Sequence, residues 1–164
     1  IDHDGGDYGV ALLSKFPISE TKIHRLTTVA GSGGEPGVIA TARIQLKNGK
    51  SLRFGATHLD HLKNPVNREK QIEEINKIGT EENLPFIIAG DLNAVTESTE
   101  IQKLDQVFMR TCSKCEPTFP VVTPNRTIDF IAFKKTDKFS VISHRVVQEH
   151  YASDHLPVIA LLRF

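Results

Sequence analysis

Two short segments place a carboxylate beside a group that can hold or orient an anion: Gly90-Asp91-Leu92-Asn93 and Ser153-Asp154-His155-Leu156-Pro157. In the first, Asp91 and Asn93 follow the apolar run Phe86–Ala89 and stand two residues apart, so extended backbone turns both toward one small volume. A carboxylate and a carboxamide sharing a volume suit the positioning of a water. A plain turn is the competing reading, because Gly, Asp and Asn are all turn formers. In the second segment, Asp154 offers a hard oxygen ligand for a divalent cation and His155 an imidazole able to donate to a phosphoryl oxygen. Taken alone, that tripeptide reads as ordinary surface.

Two further positions join them. Asp129 lies within Thr127-Ile-Asp-Phe-Ile-Ala-Phe133, where a carboxylate is costly to bury without a partner from elsewhere, and a histidine is the obvious candidate. Alternation also permits Asp129 to face solvent, with Ile128, Phe130 and Ala132 sharing the other face. Thr57-His58-Leu59-Asp60-His61 ends a strand whose period puts His58 with Leu52, Phe54 and Ala56, which fits a core histidine as well as a functional one. The run HLDH is also similar to the metal-binding run of metallo-β-lactamase-type hydrolases. That run carries a further histidine where Ala56 stands here.

Positioning these groups requires a set of strands. Gly9–Ser14 and Ile23–Val29 read as strands, and Val38–Leu46 with Leu52–His58 as a hairpin turned at Asn48-Gly49, a dipeptide that favours positive φ. A helix follows, with Asn64 as cap, Pro65 at its first position, Ile72, Ile75 and Ile78 on one face, Glu73 and Lys77 toward solvent, and Gly79 at its end. Pro85–Gly90 is the short apolar run of a strand covered on both faces. A second helix is predicted from about Glu97 to Phe108, with Ile101, Leu104 and Phe108 inward. Strands at Ile128–Phe133, Phe139–Val147 and Val158–Phe164 complete an α/β pattern of mixed, largely antiparallel sheets. The stretch Gly31–Gly37 reads as a flexible loop.

The composition bounds the class. With 164 residues, 39% hydrophobic and 24% charged, the chain is long enough for one domain with a core. Twenty basic residues balance twenty acidic ones, so the chain as a whole has no electrostatic grip on a polyanion. No apolar run of about 18 residues occurs, so nothing spans a bilayer as a helix. The segment IDHDGGDYG has neither an initiator Met nor the features of a signal peptide, so we expect the chain to begin inside a longer protein. Compartment stays open. Cys112 and Cys115 form a lone CxxC in polar surroundings, read as a short disulfide or two free thiols ahead of a metal or redox site.

YGVALLSKFPI, THLDH, GDLN, IDFIAF and SDHLPV, in that order, resemble the endonuclease/exonuclease/phosphatase family, which includes DNase I-like nucleases, abasic-site endonucleases, sphingomyelinases and inositol-polyphosphate phosphatases. The resemblance runs from Tyr8 to Phe164, and GDLN and SDHLPV are its most specific parts. It implies one domain over residues 1–164, a DNase I-like four-layer α/β sandwich incomplete at its N-terminus.

It also implies roles. Asp91 would be the general base or water-positioning carboxylate and Asn93 would orient water and phosphate. His155, oriented by Asp129, would hydrogen-bond the scissile phosphate, and His58 would stabilise phosphoryl oxygens from the other side. Asp154, with Asp91 and Asn93, would bind the metal, with Mg²⁺ the default and Mn²⁺ a substitute. Arg68 and Gln71 match an Arg-x-x-Gln pattern seen in related sequences, with ion pairing and helix packing as their expected roles. Asp60 and His61 carry no assigned role. The family's Gln-Glu segment, bearing a principal metal-binding Glu, and an N-terminal Asn would both lie upstream of residue 1. Glu20 and Glu35 do not match that pattern.

The activity implied is metal-dependent hydrolysis of a phosphomonoester or phosphodiester, with small-molecule, sugar, inositol or lipid head-group substrates ahead of DNA because the net charge is zero. A DNase-like nuclease and, from another class, a non-catalytic binding module on the same scaffold are the alternatives. An absent N-terminal part would leave apolar surface or an open edge, through which the chain could dimerise.

Overall fold

The structure is a computed structural model that describes residues 2, 3 and 5–164. Two short strands, β1 (Asp2–His3) and β2 (Gly6–Asp7), pair with each other. The body of the molecule is a six-stranded sheet in the order β3-β4-β5-β6-β8-β7, from β3 (Ile18–Arg25), β4 (Val38–Gln45), β5 (Ser51–His58), β6 (Phe86–Asp91), β7 (Phe108–Arg110) and β8 (Asp129–Lys134). β9 (Ser140–Val146) and β10 (Val158–Arg163) form a separate antiparallel pair.

The β4–β5 hairpin closes as its turn residues require. Gly49 takes φ +80°, and its N–H donates to the Leu46 carbonyl. β5 and β6 are parallel, and the crossover between them is helix α1 (Val66–Glu81). The remaining neighbours in the sheet are antiparallel.

Side chains alternate across the sheet to make two cores. On one face Ile39, Phe86, Ile88, Phe130 and Ala132 pack with Ile72 and Ile75 of α1 and with Ile101 and Leu104 of α2 (Thr99–Leu104). On the other face Ala42, Ile44, Leu52, Ile87 and Phe133 meet Phe139 and Leu162, from β9–β10 and its approach. Of the four layers expected, the described residues therefore supply three, since both helices belong to the same core. Val141, Ile142, Ile159 and Leu161 remain exposed on β9 and β10.

Several boundaries differ from the sequence reading. Gly9–Ser14 is not a strand: Leu13 is 93% exposed and only Leu12 packs against a core, so an apolar pattern without a ladder partner stays irregular. The strand expected at Ile23–Val29 starts earlier and stops at Arg25, because its pairing with β4 runs from Ile18 to Arg25. Gly79 does not end α1, which continues to Glu81. A Cβ there would lie 2.5 Å from the Phe108 ring, so this glycine admits that ring to the core. The start of α1 also differs: Pro65, expected at the first helical position, is the N-cap and no side chain caps the helix, so Asn64 lies one residue before the cap, where it accepts the Val66 N–H at 3.2 Å. The second helix is shorter than predicted. Phe108 is inward, but it reaches the core from β7, where pairing with Lys134 replaces helical hydrogen bonds.

Candidate active site

The register of four adjoining ladders lines up one row of residues. Arg25 pairs with Val38, Val38 with His58, His58 with Asp91, and Asp91 with Asp129. Directly paired residues point to the same face, so this row presents all five side chains at one end of the sheet, on the face turned toward β9–β10. Gly90 lets β6 sit close enough for this. It adopts φ +155°, and a Cβ there would fall 1.8 Å from the Thr57 carbonyl oxygen.

Asp91 occupies the centre. Its Oδ1 accepts the Asn93 N–H at 2.7 Å, which folds the GDLN segment back and holds Asn93 at φ +48°. Its Oδ2 lies 3.6 Å from His58 Nε2 and 3.9 Å from His155 Nε2. One carboxylate oxygen thus faces two imidazoles.

His155 is delivered by the loop before β10. Leu156 is buried and its N–H donates to the Thr118 carbonyl, while the Val121 N–H donates to the Asp154 carbonyl. These bonds tie the SDHLP segment to residues 118–121. His155 Nδ1 then lies 2.9 Å from Asp129 Oδ2, which also accepts the Thr118 hydroxyl at 2.6 Å. The partner expected for Asp129 is therefore His155, and the solvent-facing alternative is corrected. Burial raises the Asp129 carboxyl above its ordinary value, opposed by Thr118 and His155 and reinforced by the charge of Asp91. The Phe119 ring walls the imidazole at 4.6 Å between centroids, and the Arg126 guanidinium lies over that same ring at 4.7 Å.

His58 is not merely a core histidine. Tyr8 Oη is 3.0 Å from its Nδ1, and Asn93 Nδ2 is 3.2 Å from its Nε2. The Asp91 carboxylate beside it, 3.6 Å away, raises its pKa above the ordinary value, burial working against it. The Asn93 amide also donates to the Leu59 carbonyl at 2.9 Å, which fixes its nitrogen toward His58. Neutral His58 accepts from Asn93 through Nε2, whereas charged His58 has an N–H there that suits only Asp91. Tyr8 is held neutral to higher pH than usual, by burial first and then by the charges of Glu35, Asp91 and Asp154.

The other residues of the sequence reading fall as follows. Asp154 is exposed, its side chain hydrogen-bonded to Ser153 alone among the described residues, and its charge reaches Tyr8. His61 is exposed. Asp60 is buried and accepts from the Glu35 N–H at 3.1 Å and from Asn67 at 3.3 Å, so it pins the Gly31–Gly37 loop against α1. Arg68 pairs with buried Glu100 at 3.1 Å and donates to the Asp60 carbonyl, and Gln71 accepts from the Asp60 N–H, so both brace the THLDH segment. Sequence reasoning missed Thr118, Tyr8 as a partner of His58, and Phe119. Single hydroxyls and rings in loops carry no periodic signal.

For a divalent cation, the donor atoms of Asp91, Asp129 and His155 lie within 4.8 Å of one another. Asp129 Oδ2 and His155 Nδ1 are bonded to each other, so Asp91 Oδ2, with imidazole nitrogens beside it at 3.6 and 3.9 Å, is the oxygen we would turn toward an ion. Oxygen donors from carboxylates suit Mg²⁺, and a sparse protein shell suits an ion that keeps several waters. Cys112 and Cys115, in the loop after β7, form a disulfide.

Comparison with known proteins agrees with this architecture. The model of the endonuclease/exonuclease/phosphatase family matches residues 2–155. An uncharacterised protein of Escherichia coli K12, YbhP, is 27% identical over 94% of this chain, which spans 62% of that protein's length. A mannosyl-6-phosphatase of Bacteroides thetaiotaomicron superposes with a TM-score of 0.75 at 22% identity, covering 91% of this chain and 67% of that one. Staphylococcus aureus beta toxin, solved with bound magnesium ions, superposes with a TM-score of 0.60 at 20% identity over 74% of this chain and 56% of that one. These likenesses show the DNase I-like fold with mixed sheets.

Proposed function

The chain belongs to the endonuclease/exonuclease/phosphatase family, whose members are metal-dependent phosphoesterases, and from that premise we propose that it carries the catalytic half-site of a phosphoester hydrolase. The substrate class is a phosphomonoester or phosphodiester of a small molecule, sugar, inositol or lipid head group. One observation carries the reading: a single oxygen of Asp91 faces His58 and His155 from opposite sides, at 3.6 and 3.9 Å. The net charge of zero favours compact substrates over a polyanion, and the likeness to a mannosyl-6-phosphatase points the same way.

Each residue has a role that follows from its place. Asp91 accepts a proton from the attacking water, whose oxygen bonds to phosphorus in line as the ester oxygen departs. Asn93, fixed to the Leu59 carbonyl, orients water and phosphate. Asp129 holds His155 through Nδ1, leaving Nε2 to donate to a non-bridging oxygen, and His58 donates from the other side. Mg²⁺, held by Asp91 with Asn93 and Asp154 at the rim, would supply positive charge against the oxygens of the phosphoryl group.

The test is phosphate release by the complete protein across a panel of phosphoesters. Release that requires Mg²⁺ and is lost in Asp91→Ala and His155→Ala is expected, and full activity in either variant rejects the roles given. Nuclease activity is a second reading, favoured by the exposed Arg126 beside the His155 wall. Plasmid cleavage whose affinity falls steeply with salt would select it.

A further inference from the structure

The row that carries His58 and Asp91 continues two strands further, to Arg25, and the chemistry described above does not use that end. Tyr8, Ile23, Arg25, Pro36, Val38 and His58 are among the residues that border a cleft of about 200 Å³, which opens beside the His58 imidazole. Its walls are mostly apolar or backbone. Its polar side chains are those of Arg25, Tyr8 and His58, and no acidic side chain lines it among the described residues.

Arg25 contrasts with its neighbours. Arg43 and Arg53 are paired with Glu20, and Arg53 also with Glu82, whereas Arg25 is exposed and has no ion pair or side-chain hydrogen bond among the described residues. Unlike those cations, it faces no carboxylate partner among the described residues. Glu35 adjoins Pro36 at the border of the cleft and its charge is felt at Tyr8 and His58, so the favourable place for an anion is at Arg25, the arginine of the lining.

We propose that this cleft is a substrate subsite in which Arg25 reads a second anionic group, a phosphate or carboxylate carried by the same small molecule as the scissile phosphoester. This deepens the phosphoesterase reading and rests on it. Two strand spacings, about 10 Å, separate the backbone of Arg25 from that of His58. A sugar-sized spacer between two anionic groups spans that gap. Arg25 presents a planar fork of donors, which matches phosphate or carboxylate in two-point contact.

The experiment compares fructose 1,6-bisphosphate with fructose 6-phosphate on the complete protein, in wild type, Arg25→Ala and Arg25→Lys. Hydrolysis is followed with Mg²⁺, and binding by calorimetry in EDTA, where hydrolysis is off. The wild type is expected to prefer the bisphosphate in both measurements. Arg25→Ala should raise KM and Kd for the bisphosphate about tenfold, with less than a twofold change for the monophosphate, and Arg25→Lys should restore part of the difference. Equal effects on both compounds, or none, overturn the subsite while hydrolysis by the wild type keeps the phosphoesterase reading. Selective weakening of bisphosphate binding without any hydrolysis by the wild type supports the anion site and rejects that reading instead.

Discussion

Asp129 Oδ2 stands 2.9 Å from His155 Nδ1, and this contact turns the remaining ring nitrogen of His155 toward Asp91. The carboxylate is itself steadied by the Thr118 hydroxyl, so three residues from three segments set the direction of one N–H.

Asp129→Asn should therefore lower kcat of the complete protein by about 100-fold or more, because an amide can present its NH₂ to Nδ1 and reverse the tautomer. Thr118→Val should cost less, about tenfold, by loosening the carboxylate without removing it. Steady-state phosphate release with Mg²⁺ measures both. Asp129→Asn at wild-type kcat would remove the positioning role.

The proton on His58 depends chiefly on Asp91. In metal-free protein, Asp91→Asn should lower the His58 pKa, read from its ring resonances by NMR titration. The sign follows for stability: with a pKa raised on folding, the charged imidazole contributes fully below its ordinary value of 6.5, and the contribution disappears as pH rises through the elevated value. Asp91→Asn should flatten that part of the stability–pH curve. An unchanged His58 titration would mean that Asp91 is not its main partner.

Gly90 has no room for a side chain. Gly90→Ala forces a methyl into the Thr57 carbonyl, 1.8 Å away in the unrelaxed backbone, and should destabilise by about 3 kcal/mol or more in urea unfolding. A cost under about 1 kcal/mol would show that the β5–β6 ladder gives way easily.

Arg68 and Glu100 are both buried, and Arg68 also bonds the Asp60 carbonyl. Removing either partner alone leaves an uncompensated charge, so Arg68→Ala or Glu100→Ala should each cost about 3–5 kcal/mol, and the double variant less than their sum. A double-mutant cycle on thermal or urea unfolding supplies the coupling energy, and simple additivity would contradict the pairing.

The Cys112–Cys115 disulfide closes a short loop and lies outside the row of site residues. Replacing both with Ser should cost at most about 2 kcal/mol and leave phosphate release within a few-fold of wild type.

Much of this was legible before any coordinates. The β4–β5 hairpin, the apolar run of β6 and the inward face of α1 follow from turn chemistry and period alone, and Asp129 could be seen to need a partner because its neighbours are apolar. What the sequence could not supply was register. Pairing His58 with Asp91 and Asp91 with Asp129 depends on which residues of separate strands lie opposite one another, and no local signal encodes that. Thr118 and Phe119 escaped for a related reason: their importance lies in a loop stitched to another loop. Residues 9–14 misled in the opposite direction, since their strand-like pattern meets no ladder among the described residues.

The row from Arg25 to Asp129 also constrains how such a chain can change over time. A substitution at the Arg25 end alters what is recognised while the rungs from His58 to Asp129 keep their geometry. Insertion or deletion of one residue within β4, β5, β6 or β8 is different in kind: it would swing that strand's contributor to the opposite face, among the helices, and dismantle the centre at a stroke. Length variation should accordingly collect in the connecting loops, and diversification of this scaffold should proceed by exchanging side chains at fixed rungs.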